Sequence, residues 1–296
     1  MVSSQNLRGV GYMMLSGLVF VFNDVLLKLA MGGLPPYEVL ALRGISGAFF
    51  ALVFIWRSGG ARIAPSQMGR PVFLRAGFEC LAILTYIIAL AHAPIGDVTA
   101  IFQTTPLLVF LGMVVIHREK TSLARLGLVV LGFAGALLVA QPGQGTVSPL
   151  VLLAFITTVF AALRDLAARQ IPASVPALVS TLVLILTVLS GALACGLLFE
   201  KWEVPPLKIA GLAFAAGLFM MLGHHYTLLA YRTAAAQIIA PFYYSFMVFA
   251  VGFGYVVFGD VPNWLGVGGM VLIVVSGLLI LTLDRRTATS EPEPSA

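Results

Sequence analysis

Apolar residues fall in ten blocks of about twenty, near 10–30, 37–56, 72–92, 97–116, 122–140, 148–168, 176–198, 208–231, 236–257 and 264–283. A helix of that length crosses the hydrocarbon core of a bilayer. The polar breaks between blocks are mostly a few residues long, so successive helices are expected to run antiparallel as neighbours.

The fourth block breaks its own pattern. In Asp97–Thr121, DVTAIFQTTPLLVFLGMVVIHREKT, the residues Thr99, Gln103 and Pro106 follow one another at i, i+4 and i+7 and share a helical stripe. Lipid satisfies neither an amide nor the backbone groups a proline frees, so the stripe is expected to face protein or a watery cavity. The ninth block repeats the arrangement with Gln237, Pro241 and Tyr244. Pro106 frees the carbonyl of Phe102, and Pro241 that of Gln237. These carbonyls either receive an ammonium group or merely accompany bends.

The two halves look related. Glu119 and Asp260 lie 141 residues apart, and the same shift lays Gly127 on Gly268. With five helices in each half, the second copy enters the membrane upside down. The fold class predicted is therefore an all-α membrane protein of ten transmembrane helices, built as two inverted five-helix repeats around a central cavity. The repeats span residues 1–143 and 144–284, followed by a disordered cytoplasmic tail over 285–296.

Composition narrows the class. With a mean hydropathy of +1.02 and only 10 % charged residues, the chain cannot be a soluble domain, where about a quarter of residues are charged. The net charge of +5 does not signal nucleic acid, because 13 of the 17 lysines and arginines lie at one set of helix ends. That asymmetry predicts both termini in the cytoplasm; the expected location is a bacterial inner (cytoplasmic) membrane, crossed many times. The first helix lacks a cleavage pattern and reads as retained. Cys80 and Cys195 fall inside apolar blocks and read as packing residues without a disulfide. No phosphate loop, metal-ligand spacing or cofactor motif appears.

Several polar groups sit deep in the blocks. Asp24 and Lys28 stand at i, i+4 and can pair, with Asn23 beside them and Arg43 in the second helix; the set reads as a structural ion pair or as proton coupling. Glu79 in helix 3 and His224 and His225 in helix 8 fall at similar depth, suited to a zwitterion's ends or a proton relay. Adjacent histidines point about 100° apart, so one of them at most faces a given cavity well. Tyr86, Phe102, Gln103, Thr104, Tyr226, Tyr243 and Tyr244 supply aromatic rings and polar tips of the kind that line a small-molecule pocket, or else simply pack. Glu119 and Asp260 read as caps of the following helices, and Asp165 with Arg169 as a surface pair. The glycines of helices 5 and 10, among them Gly127, Gly132, Gly135, Gly268, Gly269 and Gly277, suit close packing or a homodimer contact.

With these residues in view, the chain resembles the EamA type of the drug/metabolite transporter superfamily. The likeness rests on Asn23-Asp24, Lys28, Arg43, Ala93-Pro94, Pro106-Leu107, Glu119, Gly132, Gly135 and Pro142-Gly143 in the first half. Ala162-Leu163-Arg164-Asp165, Ala240-Pro241-Phe242, Phe258-Gly259-Asp260 and Ser276-Gly277 carry it in the second. It implies a cavity lined by helices 1, 3, 4, 6, 8 and 9, and a secondary transporter of small metabolites working by alternating access, with amino-acid export the favoured case. Another metabolite, a vitamin, a nucleotide-linked compound or a cationic drug stands as the alternative, and a channel is the more distant rival. An enzyme is not expected.

Overall fold

The computed structural model describes residues 4–57, 68–116, 122–140, 149–168, 170–172, 174–234 and 240–290. All the regular structure among them is helical. α1 (Ser4–Ala30), α2 (Pro36–Arg57) and α3 (Arg70–His92) are followed by α4 (Ile95–Phe102), α5 (Thr105–Ile116) and α6 (Leu123–Ala140). A short 3-10 turn at Pro149–Leu152 opens α7 (Leu153–Ala168), and α8 (Ala177–Phe199) and α9 (Leu207–Thr233) follow. A second 3-10 turn, Ala240–Tyr244, leads into α10 (Ser245–Phe253), a π turn at Gly254–Phe258 and α11 (Trp264–Ser290).

Eight stretches among the described residues are long and apolar enough to cross a membrane, and two shorter apolar helices cover Phe242–Phe258 and Trp264–Ile280. Leu7, Phe49, Leu123, Val248 and Leu279 turn outward, a surface that water would not tolerate and lipid would. Trp56 and Trp264, both exposed, stand at helix ends, where indole rings anchor at the membrane interface. This is a multi-pass membrane protein.

Helix packing departs from the expectation that sequence neighbours pair. α1 barely touches α2; its main partner is α9, and α3 lies chiefly against α7 and α8. α2 packs on α8 and α9, α1 on α10, α5 and α4 on α7, α10 on α4, and α11 on α6. Small residues explain the choice, because they let backbones approach. Ser16 donates to the Gly223 carbonyl at 2.9 Å and meets the Thr227 hydroxyl at 2.6 Å. A Cβ added at Gly223 of α9 would come 2.8 Å from the Phe20 ring of α1.

Of the glycines of predicted helices 5 and 10, offered above for close packing or a homodimer contact, Gly132, Gly135 and Gly269 lie between those two helices, whereas Gly127 and Gly268 face open space. A Cβ on Gly135 of α6 would come 2.7 Å from the Gly269 carbonyl of α11. Replacing Gly135 with valine should separate these helices and lower the thermal midpoint in detergent, at a cost of about 1–3 kcal/mol. α11 continues to Ser290, so residues 285–290, assigned above to a disordered tail, are helical. Residues 291–296 lie outside the described residues.

One cap was invisible to local pattern. The Glu200 carboxylate after α8 accepts the Tyr37 and Glu38 N–H groups at 2.8 and 3.0 Å, closing the open first turn of α2 from 163 residues away.

Candidate functional site

The fourth predicted helix is two helices. α4 ends at Phe102 and α5 begins at Thr105, because Pro106 has no N–H and its ring clashes with the Phe102 carbonyl one turn back. That carbonyl is not left open to an ammonium group: the Thr105 hydroxyl donates to it at 2.6 Å. The Ile101 carbonyl likewise receives the Thr104 N–H at 3.0 Å and the Thr104 hydroxyl at 2.7 Å. Thr99 and Gln103 are fully buried, whereas Pro106 is exposed, so the stripe expected of all three ends where the helix breaks.

Gln103 Nε2 donates to the Tyr243 carbonyl at 2.9 Å, while its Oε1 is buried with no hydrogen-bond partner. Tyr244 is buried with its phenol wedged against Gly277 of α11. Gln237 lies outside the described residues.

Around the broken helix lies a buried polar centre. Asp24 accepts from Asn23 Nδ2 at 2.8 Å and from the Tyr86 hydroxyl at 2.6 Å, and Tyr86 stands edge-on to Phe102 at 5.8 Å between ring centres. Arg43, buried in α2, lies within electrostatic reach of Asp24, Tyr86 and Glu79. The structure thus brings Asn23, Asp24, Arg43, Tyr86 and Phe102 together, from α1 to α4.

The predicted Asp24–Lys28 pair does not form, because both Asp24 oxygens are engaged inward and Lys28 reaches toward its own end of α1. Its Nζ donates to the Ala93 carbonyl at 2.6 Å, stands 3.7 Å from Asp260 Oδ2 and lies over the Phe258 ring at 5.0 Å. Gly259, in the left-handed region at φ 73°, makes the sharp turn that presents Asp260. Asp260 is therefore an ion-pair partner, and the cap of α11 is Asn263, whose Oδ1 accepts the Gly266 N–H at 2.8 Å. Asp97 and Asp260 line a cavity of about 250 Å³ that also touches Pro94, Val251 and Pro262.

A second centre lies seven residues down α3, roughly 10 Å away at 1.5 Å per residue. Glu79 Oε2 accepts from Arg164 Nη1 at 2.7 Å, and Arg164 Nε donates to Asp165 at 2.9 Å. Asp165 thus pairs with its neighbour in sequence; Arg169, the partner expected above, lies outside the described residues. Arg75 donates to Ser180 at 2.7 Å beside this group. Of the two histidines, His224 meets Phe20 edge-on at 5.2 Å within electrostatic reach of Glu79, whereas His225 turns to Phe54 at 5.6 Å.

Arg164 was the residue that sequence reasoning passed over as a partner for Glu79. A signal existed: the 141-residue shift lays Arg164-Asp165 on Asn23-Asp24.

Residues 7–141 match the EamA-like transporter family, and the chain therefore carries a domain of that family. The pseudopaline exporter CntI of Pseudomonas aeruginosa is 28 % identical over 271 residues, covering 90 % of this chain and 94 % of that protein. A riboflavin transporter of Brucella anthropi is 26 % identical over 263 residues, with 86 % and 91 % covered. An S-adenosylmethionine uptake transporter of Rickettsia prowazekii is 22 % identical over 287 residues, with 97 % of each covered. A crystal structure at 20 % identity superposes with a TM-score of 0.64, covering 96 % of this chain and all of that one, a likeness of fold.

Proposed function

We propose, from the premise of a chain that carries an EamA-like transporter domain, that this protein is a secondary transporter of small metabolites, with amino-acid export the favoured case. The observation that carries the reading is the presence of the buried polar side chains Asn23, Asp24, Tyr86 and Gln103 around the broken helix. Polar groups placed deep in membrane helices are costly, and a role in substrate or ion passage is the default explanation for them. Two of these groups, Asn23 Oδ1 and Gln103 Oε1, are buried acceptors without a donor, as a site awaiting an ammonium or hydroxyl would have them. The relatives named above handle chemically different molecules, so the amino-acid reading rests on this centre and not on them; another metabolite accords equally with their names.

The ten-helix inverted repeat belongs to the same proposal. Exchanging the first five spans with the last five turns the contact of α1 with α9 into that of α7 with α3, and the contact of α1 with α10 into that of α7 with the α4–α5 span; both pairs exist. The 141-residue shift also lays Ser16, bonded to Thr227 of α9, on Thr157, bonded to Thr85 of α3 at 2.8 Å. An inverted repeat provides alternating access if each half adopts the other's arrangement in turn. In that scheme the Lys28–Asp260 tie and the Arg164–Glu79 tie hold opposite ends. The bias of basic residues supports cytoplasmic termini and a place in the cytoplasmic membrane.

Purified protein in liposomes loaded with labelled amino acids should accelerate their efflux; absence of flux for all twenty would remove the substrate claim and leave the fold. Gln103→Ala should lower that flux about two- to tenfold, the worth of one hydrogen bond, while retaining a folded thermal transition. Flux equal to wild type in this variant would make Gln103 a packing residue.

A further inference from the structure

Arg43 has no role in the ties described so far. It sits in α2 with 6 % of its surface exposed, and its Nε has no hydrogen-bond partner. Among the described residues no carboxylate stands within ion-pair distance of it. The opposite charges nearest to it are engaged elsewhere: Asp24 holds Asn23 and Tyr86, and Glu79 holds Arg164. His224, facing the same interior from α9, carries no negative charge. A guanidinium in a membrane interior is expensive unless an anion meets it. Its planar fork matches a carboxylate with two parallel N–H···O bonds, a geometry an ammonium does not offer.

We infer that Arg43 receives the carboxylate of the transported metabolite, and that the free Asn23 Oδ1 receives an N–H or O–H of the same molecule. The inference rests on the carrier reading and narrows its substrate to compounds bearing a carboxylate. A simple counter-charge to Asp24 and Glu79 would need only a positive group at position 43. A carboxylate receptor needs the fork as well, and this separates the two roles.

The test uses the full-length protein in liposomes loaded with an equimolar mixture of the twenty amino acids, or with the matching set of α-carboxamides, efflux being read by mass spectrometry. At least one acid should leave about tenfold or more faster than its amide through the wild-type protein. Arg43→Lys, which keeps the charge, should bring the flux of that acid down to the level of its amide. Equal flux of acids and amides through the wild type overturns the inference and leaves the carrier standing. A preference for acids that survives in Arg43→Lys overturns it too. No flux of either set overturns both the inference and the amino-acid reading beneath it. The wild-type comparison can still overturn the inference if the variant does not fold.

Discussion

Arg164→Ala should be the most damaging single change outside the backbone, costing about 3–5 kcal/mol, because it strips a buried carboxylate of its partner. The two side chains are only 17 % and 7 % exposed, and their 2.7 Å contact ties α7 to α3. Arg75 stands within electrostatic reach of Glu79 and softens the loss, which favours the lower part of that range. Glu79→Gln should cost less, since Arg164 keeps Asp165. The double variant Glu79→Gln/Arg164→Gln, with no charge left over, should recover part of the deficit. Thermal unfolding in detergent reads all three; a wild-type midpoint in Arg164→Ala would show the tie to be without consequence.

The second large effect concerns a single glycine. A Cβ on Gly217 of α9 would come 2.7 Å from both the Arg43 carbonyl and the Gly47 nitrogen, where α2 and α9 touch backbone to backbone. Backbone cannot turn aside as a side chain can, so Gly217→Ala should cost about 3 kcal/mol, the upper part of the range for overpacking. Six residues earlier on the same helix, Gly211 faces open space. There alanine should be neutral or stabilising by up to about 1 kcal/mol, through helix propensity alone. Equal midpoints for the two variants would mean that α2 and α9 are not held at this distance.

Much of the fold was legible because lipid imposes a simple rule: an apolar block of about twenty residues must be a helix. The blocks and their approximate ends could be read directly, and so could the anomaly at Pro106. Which helix lies against which could not, because long apolar helices have no polar face to mark the outside. The choice of α9 as the partner of α1 rests on small residues such as Ser16 and Gly223, whose effect appears only once the facing helix is known.

The same limit applies to the site. Asp24 and Lys28 looked like partners because spacing within a helix is visible in sequence. Their actual partners, Tyr86 and Asp260, come from distant parts of the chain. The glycines of α6 and α11 were recognised as contact residues, and only the folded chain shows that Gly135 and Gly269 are each other's mates.

The break between α4 and α5 is closed by its own threonines: the hydroxyls of Thr104 and Thr105 reach back three residues to the carbonyls of Ile101 and Phe102. Donor and acceptor ride on the same short piece of chain. If the two half-helices swing against each other, as the carrier reading requires, these bonds stay within the joint. Bending here is paid for in torsion, with no bare carbonyl shown to the oil.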